Sequence, residues 1–394
     1  MKSSHRIVIV GASIAGLTAA ESLRLEGFEG EIILIGDEEH LPYSRPPLSK
    51  QLLMGSWEPD QTRIKSKEDL ADLGIQFRGS SPALQLDLNN RVVLTGSGVE
   101  SFDELIIATG AKARQLGSRG VHTLRNLEDA ISLKEKMSHS KTIAVIGAGV
   151  LGSEIASAGR ALGSEVILVG KAKEISFGSI GGALTSKIED LHAANGVELR
   201  LGSDVLDIKV GQDGARFLLD SGEIIAADVA VAAVGAIPCT EWLAKSGLDI
   251  SDGVICDSLG LAAPGVYAIG DVAAWQDPET GAQVRVEHQT NAIEQAMSVA
   301  GTIVHNRKPT SPAPFFWSDL HGVSIKAYGW FDGQPLKELT SISQSGSLLG
   351  ADSAGATRGV VAWDAPVREF RQGRSLVDES RNISNTKTLV KDQL

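Results

Sequence analysis

The chain has 394 residues, 42% of them hydrophobic and 22% charged, with a net charge of −12. That length suits two or three domains, and the composition is that of an ordinary globular protein. The acidic balance argues against nucleic acid or an anionic membrane as the main partner. No apolar run reaches the roughly 18 residues that a membrane helix needs.

The first residues lead straight into a β-branched run, with no charged-then-apolar leader, so the expected location is the cytoplasm. There are two cysteines, Cys239 and Cys256, and they form no C-x-x-C pair. Both are expected to be inert buried thiols, and no His/Cys cluster has metal-ligand spacing.

In chain order, a strand is expected at Ile7–Val10, then the turn Gly11-Ala-Ser-Ile-Ala-Gly16, a helix over Leu17–Leu25 and a strand at Glu31–Ile35. This is a βαβ unit. Strands follow at Val92–Thr95 and Glu104–Ile107, the second running into Ala108-Thr109-Gly110. The βαβ pattern then returns: strand Thr142–Ile146, turn Gly147-Ala-Gly-Val150-Leu151-Gly152, a helix through Ala161, strand Glu165–Val169. Further strands are expected near Val197–Leu201, Phe217–Leu219 and Asp228–Val234, the last ending at Gly235. A strand enters the tight turn Gly270-Asp271, and a helix covers about Asn291–His305. The proline-rich run Lys308–Pro314 reads as a linker. Beyond it the chain is rich in strands and short on long helical periods, which suggests an α+β domain ending in a frayed polar tail from about Ser380.

Each glycine turn aims a helix N-terminus, with its free N–H groups, at a pyrophosphate. One such turn is a weak signal; two in the same strand–turn–helix setting are a strong one. In the first, Ser13 replaces the middle glycine of the fingerprint, whereas the second keeps Gly149. Asp37, at the end of the second strand, suits a ribose hydroxyl. The second copy shows no such acid: Gly170 stands there, followed by Lys171-Ala-Lys173. Two ammoniums would attract a 2′-phosphate, so the lean is toward NADPH, with NADH open.

The segment Leu41-Pro-Tyr-Ser-Arg45-Pro46-Pro-Leu-Ser-Lys50 is rigid at its paired prolines and carries two cations. Together with Gly11–Gly16, Ala108–Gly110, Gly147–Glu154, Gly265–Asp271, Glu287, Asn291–Ala296 and Phe316-Trp317-Ser-Asp319, it resembles the FAD-dependent ferredoxin reductases of bacterial oxygenase systems, of the putidaredoxin-reductase and biphenyl-dioxygenase-reductase type. The likeness runs from about residue 5 to about residue 375. It implies a glutathione-reductase-like α/β fold with two Rossmann-like dinucleotide-binding domains plus a C-terminal α+β domain. The implied boundaries are 1–111 with 240–308 for FAD, 112–239 for NAD(P)H and 309–394 for the third domain.

The resemblance also assigns roles. Lys50 corresponds to the lysine beside flavin N5, and Glu154 to its partner at the nicotinamide amide. Asp271 corresponds to the acid on the ribityl chain and Arg125 to a contact with the FAD phosphates. Ala15, Asp37, Ala83 and Gln289 take further FAD positions, and Trp317 an aromatic position near the flavin or the partner surface. Arg45, Pro46, Thr109, Gly110, Gly270, Glu287 and His288 lie in the same FAD-side motifs. Val150, Leu151 and Gly235 lie in the nicotinamide-side ones. A helix starting near His288 would point its positive end at the flavin. Two departures stand out: no tryptophan follows Glu287, and Leu320-His321 replaces a Gln-aromatic pair.

The segment Pro42–Lys50 contains no cysteine, which removes dithiol chemistry and single-cysteine peroxide chemistry there. What remains is hydride uptake from NAD(P)H by FAD and single-electron delivery to a ferredoxin serving a Rieske-type or haem monooxygenase. A monomer or weak dimer is expected, and Arg307, Lys308 and Lys326 are candidate docking cations. One rival is a flavin reductase of a small acceptor such as a quinone or monodehydroascorbate. Another is a structural or signalling flavoprotein resembling apoptosis-inducing factor, against which the acidic balance counts.

Overall fold

The computed structural model describes residues 5–391 apart from 118–119, 181, 279, 308–312, 332–333, 335, 342–345 and 354–355. Most of the expected linker, including Lys308, falls outside these. The chain forms two compact units. Among the described residues no helix is long and apolar enough to cross a membrane.

The first unit takes residues 1–44, 60–112 and 236–312. Its six-stranded sheet has the order Leu261–Ala263, Val266–Ala268, Glu104–Ile107, Arg6–Val10, Glu31–Ile35, Ile75–Arg78. All pairings but the first are parallel. The strand alternation splits the apolar residues between two cores. Ile7, Ile9, Ile32, Leu34 and Ile106 meet Leu17 and Leu23 of the helix Ile14–Leu25 and Val299 of the helix Gln289–His305. Val8, Val10, Ile33, Ile35, Leu105 and Ile107 face Phe102, Trp242, Leu243 and Val254. Burial on both faces is why these strands read as continuous apolar runs.

The second unit takes residues 45–59, 113–235 and 313–394. It holds a parallel sheet in the order Val197–Leu201, Glu165–Gly170, Thr142–Ile146, Val229–Ala232, with the helix Val150–Ala161 following the second glycine turn. The helix Leu127–Ser138, not among the expected elements, starts at a capping box between Asn126 and Asp129 and buries Leu127, Ala130, Leu133 and Met137. The C-terminal part is a five-stranded antiparallel sheet, and Phe370 and Val377 of a closing helix pack with its Val360 and Ala362. That helix spans Val367–Lys391, which corrects the expectation of a stretch short on long helical periods with a frayed polar tail from about Ser380.

Strands Phe315–Leu320 and Val323–Gly329 are joined by His321-Gly322, with φ of +50° and +82°. Two left-handed residues are what a tight hairpin turn of matching twist requires. The His321 amide donates to Ser157 Oγ (2.7 Å), and its Nε2 lies 3.0 Å from Nδ1 of the fully buried His192. Burial pushes both imidazoles down to about 4. The unfolded chain therefore binds protons near pH 6.5 that the folded pair refuses, so stability falls as pH drops from about 6.5 toward 4. The urea midpoint should decline over this range, and less steeply in His321→Asn, which keeps a residue suited to the turn. Equal slopes would contradict the assignment.

Candidate functional site

In the first unit the parallel strands end together, and their carboxyl ends carry the predicted residues. The Gly11 amide donates to Ile35 O (2.7 Å). A Cβ on Gly11, whose φ is +112°, would lie 2.1 Å from Ala108 O, and one on Gly16 would lie 1.8 Å from Gly11 O. Both glycines are required by close main-chain approach. Ser13 caps the helix Ile14–Leu25 without a side-chain cap bond, and Ala15 is buried in its first turn. Gly270, at φ +73°, brings its backbone toward Ala15 and Ala292, and its amide donates to Gln295 Oε1 (2.7 Å). Asp271 follows it in a short helical turn, its carbonyl accepting from Arg285. Thr109 Oγ1 donates to Cys239 O (2.9 Å), and Gly110 O accepts from the Cys239 amide. Asp37 is exposed at the end of its strand, and Ala83 opens the strand Ala83–Asp87.

His288 is the N-cap of the helix Gln289–His305, as the expected start near that residue required. Glu287 pairs with Arg285 (2.5 Å). Gln289 Oε1 is buried without a hydrogen-bond partner at the first helical position. Two forced glycines, an open helix start and an unpaired buried polar atom fit a dinucleotide phosphate and its attached groups.

The second unit repeats the turn. The Gly147 amide donates to Val169 O (2.7 Å), and Cβ atoms on Gly147 and Gly152 would lie 2.2 Å from Ala233 O and 1.8 Å from Gly147 O. Gly149 has open space in front of it, with nothing nearer than Ser176 O at 3.8 Å. Val150 and Leu151 form the first helical turn, and Gly235 is exposed at φ +98° beyond the strand Val229–Ala232. These features fit a second dinucleotide.

The repeat also corrects the register of the missing acid. Ser81 N donates to Gly36 O and Ser203 N to Gly170 O; Gly36 lies against Ala12, and Gly170 against Ala148. Gly170 is thus the counterpart of Gly36, held as glycine by packing, and Lys171 is the counterpart of Asp37. Lys171 Nζ is 2.7 Å from Asp204 Oδ2. Lys173 is exposed.

The paired prolines open the short turn Pro46–Ser49, whose fixed φ suits a helical start. This turn delivers Lys50 into the second unit, where its Nζ meets Glu154 Oε1 at 2.6 Å, both residues buried. Glu154 sits in the second turn of the helix Val150–Ala161. Ser318 Oγ donates to Glu154 Oε1 (2.7 Å) and Ser49 Oγ to Oε2 (2.5 Å). Sequence reasoning singled out Lys50 and Glu154 but neither serine. Both lie inside the two distinctive motifs, which was the available signal.

Arg45 Nη1 donates to the Arg125 carbonyl, and Arg125 N to Asp129. Trp317 stacks on Phe315 with ring centroids 5.7 Å apart. Cys256 is buried, its thiol pushed up to about 12 by burial, as an inert thiol should be; Cys239 is only partly buried. Arg307 forms a two-pronged pair with Glu26, so it is not a loose surface cation.

Glu154→Ala would leave the Lys50 ammonium buried and unpaired. The expected loss is about 3–5 kcal/mol of unfolding free energy by urea titration. Ser318→Ala, which removes one hydrogen bond to a charge, should cost about 1–3 kcal/mol. A neutral result for Glu154→Ala would contradict the buried pair.

Residues 5–296 match the family model described as pyridine nucleotide-disulphide oxidoreductase. The chain is 35% identical to a rubredoxin-NAD(+) reductase of Ectopseudomonas oleovorans, covering 82% of this chain and 86% of that protein. It is 32% identical to the ferredoxin–NAD(+) reductase subunit of a benzene 1,2-dioxygenase system of Pseudomonas putida, covering 95% and 93%. A chain in the crystal structure of the covalent putidaredoxin reductase–putidaredoxin complex superposes with a TM-score of 0.88 at 26% identity, covering 96% and 94%. The fold is thus the glutathione-reductase-like α/β fold expected from the sequence, for which FAD and a nicotinamide dinucleotide are the usual cofactors. With this match over most of its length, the chain belongs to the pyridine nucleotide-disulphide oxidoreductase family.

Proposed function

We propose that the chain is an FAD-dependent NAD(P)H:ferredoxin reductase, with FAD on the first glycine turn and the nicotinamide dinucleotide on the second. The observation that carries this reading is the loaded carboxylate of Glu154 beside Lys50, two residues beyond the second turn. An ionised carboxylate has about four lone-pair sites. Three accept from Lys50, Ser318 and Ser49, and the fourth suits the amide N–H of a nicotinamide. The lysine and the two hydroxyls hold that carboxylate in one orientation, so the ring is positioned with little motion at the moment of transfer.

When bound, the flavin supplies hydride acceptance and single-electron release. The protein's residues bind and orient. Gly11, Gly16, Gly147 and Gly152 let each turn fold tightly against its neighbouring main chain, so that the helix N-terminus behind it can face a pyrophosphate, and Asp37 suits the FAD adenosine ribose. Disulphide chemistry, which the family name describes, has no cysteine in Pro42–Lys50 to carry it; Ser49 and Lys50 stand there instead.

A one-electron iron–sulfur acceptor is supported by the names of the relatives, of which one reduces rubredoxin and one ferredoxin. We favour ferredoxin, because the ferredoxin-reducing relative aligns over 95% of this chain. Rubredoxin is the second reading, favoured by the 35% identity of the other. Cytochrome c reduction by the FAD-loaded protein should depend on added carrier and be faster with a ferredoxin than with a rubredoxin. A reversed order would favour the second reading, and a rate independent of either would refute carrier reduction.

A further inference from the structure

We infer that Asp204 sets the choice between NADH and NADPH, by placing a carboxylate at the adenosine-ribose edge of the second glycine turn. This rests on the reading of that turn as the nicotinamide dinucleotide site. In the first repeat the residue after Gly36 is Asp37, the acid suited to a ribose. In the second, the residue after Gly170 is Lys171, a cation that by itself would welcome a 2′-phosphate.

The segment that carries Asp204 is fastened to this edge by the main chain. Gly202 N donates to Ala172 O (2.8 Å) and Ser203 N to Gly170 O (3.0 Å). The matching bond in the first repeat, Ser81 N to Gly36 O, places Pro82 where the second repeat has Asp204. The acid is therefore relocated from the end of one strand to the loop after its neighbour.

Its side chain occupies the lysine: Oδ2 is 2.7 Å from Lys171 Nζ. Lys171 is held above the ordinary lysine range, first by its hydrogen bond to Asp204 and then by the Asp204 charge, with Asp220 adding to it. Asp220 is itself tied in, its amide donating to Asp204 O (2.9 Å). The lean toward NADPH counted Lys171 and Lys173 alone. With Asp204 and Asp220 included, the formal charge at this edge is balanced. A 2′-phosphate carrying up to about two negative charges would have to displace Asp204 from Lys171 or lie against its carboxylate. A ribose 2′-hydroxyl meets no such opposition and can donate to that carboxylate.

The test is calorimetric titration of the FAD-loaded protein with ADP-ribose and with 2′-phospho-ADP-ribose, which read the adenosine end without any hydride chemistry. The wild type should bind ADP-ribose the more tightly. Asp204→Asn should shift the ratio of the two dissociation constants toward the phosphorylated ligand by about tenfold or more, and Asp204→Glu should retain the wild-type preference. Lys171→Met, which spares Asp204, should shift the ratio the other way. A ratio unchanged within about twofold in Asp204→Asn, or a wild type that prefers the phosphorylated ligand, would overturn the inference while leaving the nucleotide site intact. Binding of neither ligand to the wild type would instead refute the second turn as a nucleotide site, and the inference with it.

Discussion

The site depends on one buried ion pair. Lys50 and Glu154 are both withdrawn from water, and a lone charge in that position would be costly. Each justifies the other, and the two serine hydroxyls complete the carboxylate's hydrogen bonding. Four residues from three distant stretches are thereby bound to one another: the proline turn, the helix after the second glycine turn, and the first strand of the C-terminal sheet. Such a network fixes one arrangement more than it adds net stability. Its local demands follow from this: prolines that pre-set the turn before Lys50, and a glycine turn that starts the Glu154 helix at a definite place.

The two glycine turns share their backbone construction and differ at the rim. Both need glycine at the first and last positions because a Cβ would strike a carbonyl. They differ at the middle position, Ser13 against Gly149, and just beyond the following strand, Asp37 against Lys171 paired with Asp204. The common part is dictated by main-chain approach, whereas the rim is free to differ between the two turns.

Much of the architecture was legible in the sequence because parallel strands buried on both faces leave unbroken apolar runs. Glu31–Ile35, Glu104–Ile107 and Thr142–Ile146, each parallel and almost wholly buried, were readable to the residue. The helix Val367–Lys391 was not, because it is polar overall and Phe370 and Val377 are the residues seen to join the core. At the site, Lys50 and Glu154 were visible through their motifs; Ser318 lies inside such a motif too, but its separation of 164 residues from Glu154 hid the pairing. Asp204 was invisible for the same reason: it meets Lys171 through a neighbouring strand. Reading the acid at Gly170 also missed that Ala148 packs against that glycine, which shifts the equivalence to Lys171.

The central claim is that the carboxylate of Glu154, held by Lys50 and the two serines, positions the nicotinamide for hydride transfer. Anaerobic stopped-flow reduction of the FAD-loaded Glu154→Gln protein at saturating NADH tests it most directly, since the substitution keeps the side-chain volume and removes the charge. The account predicts wild-type FAD content with flavin reduction slowed by at least about tenfold, in the range of misplaced reacting groups. Reduction at the wild-type rate would contradict it.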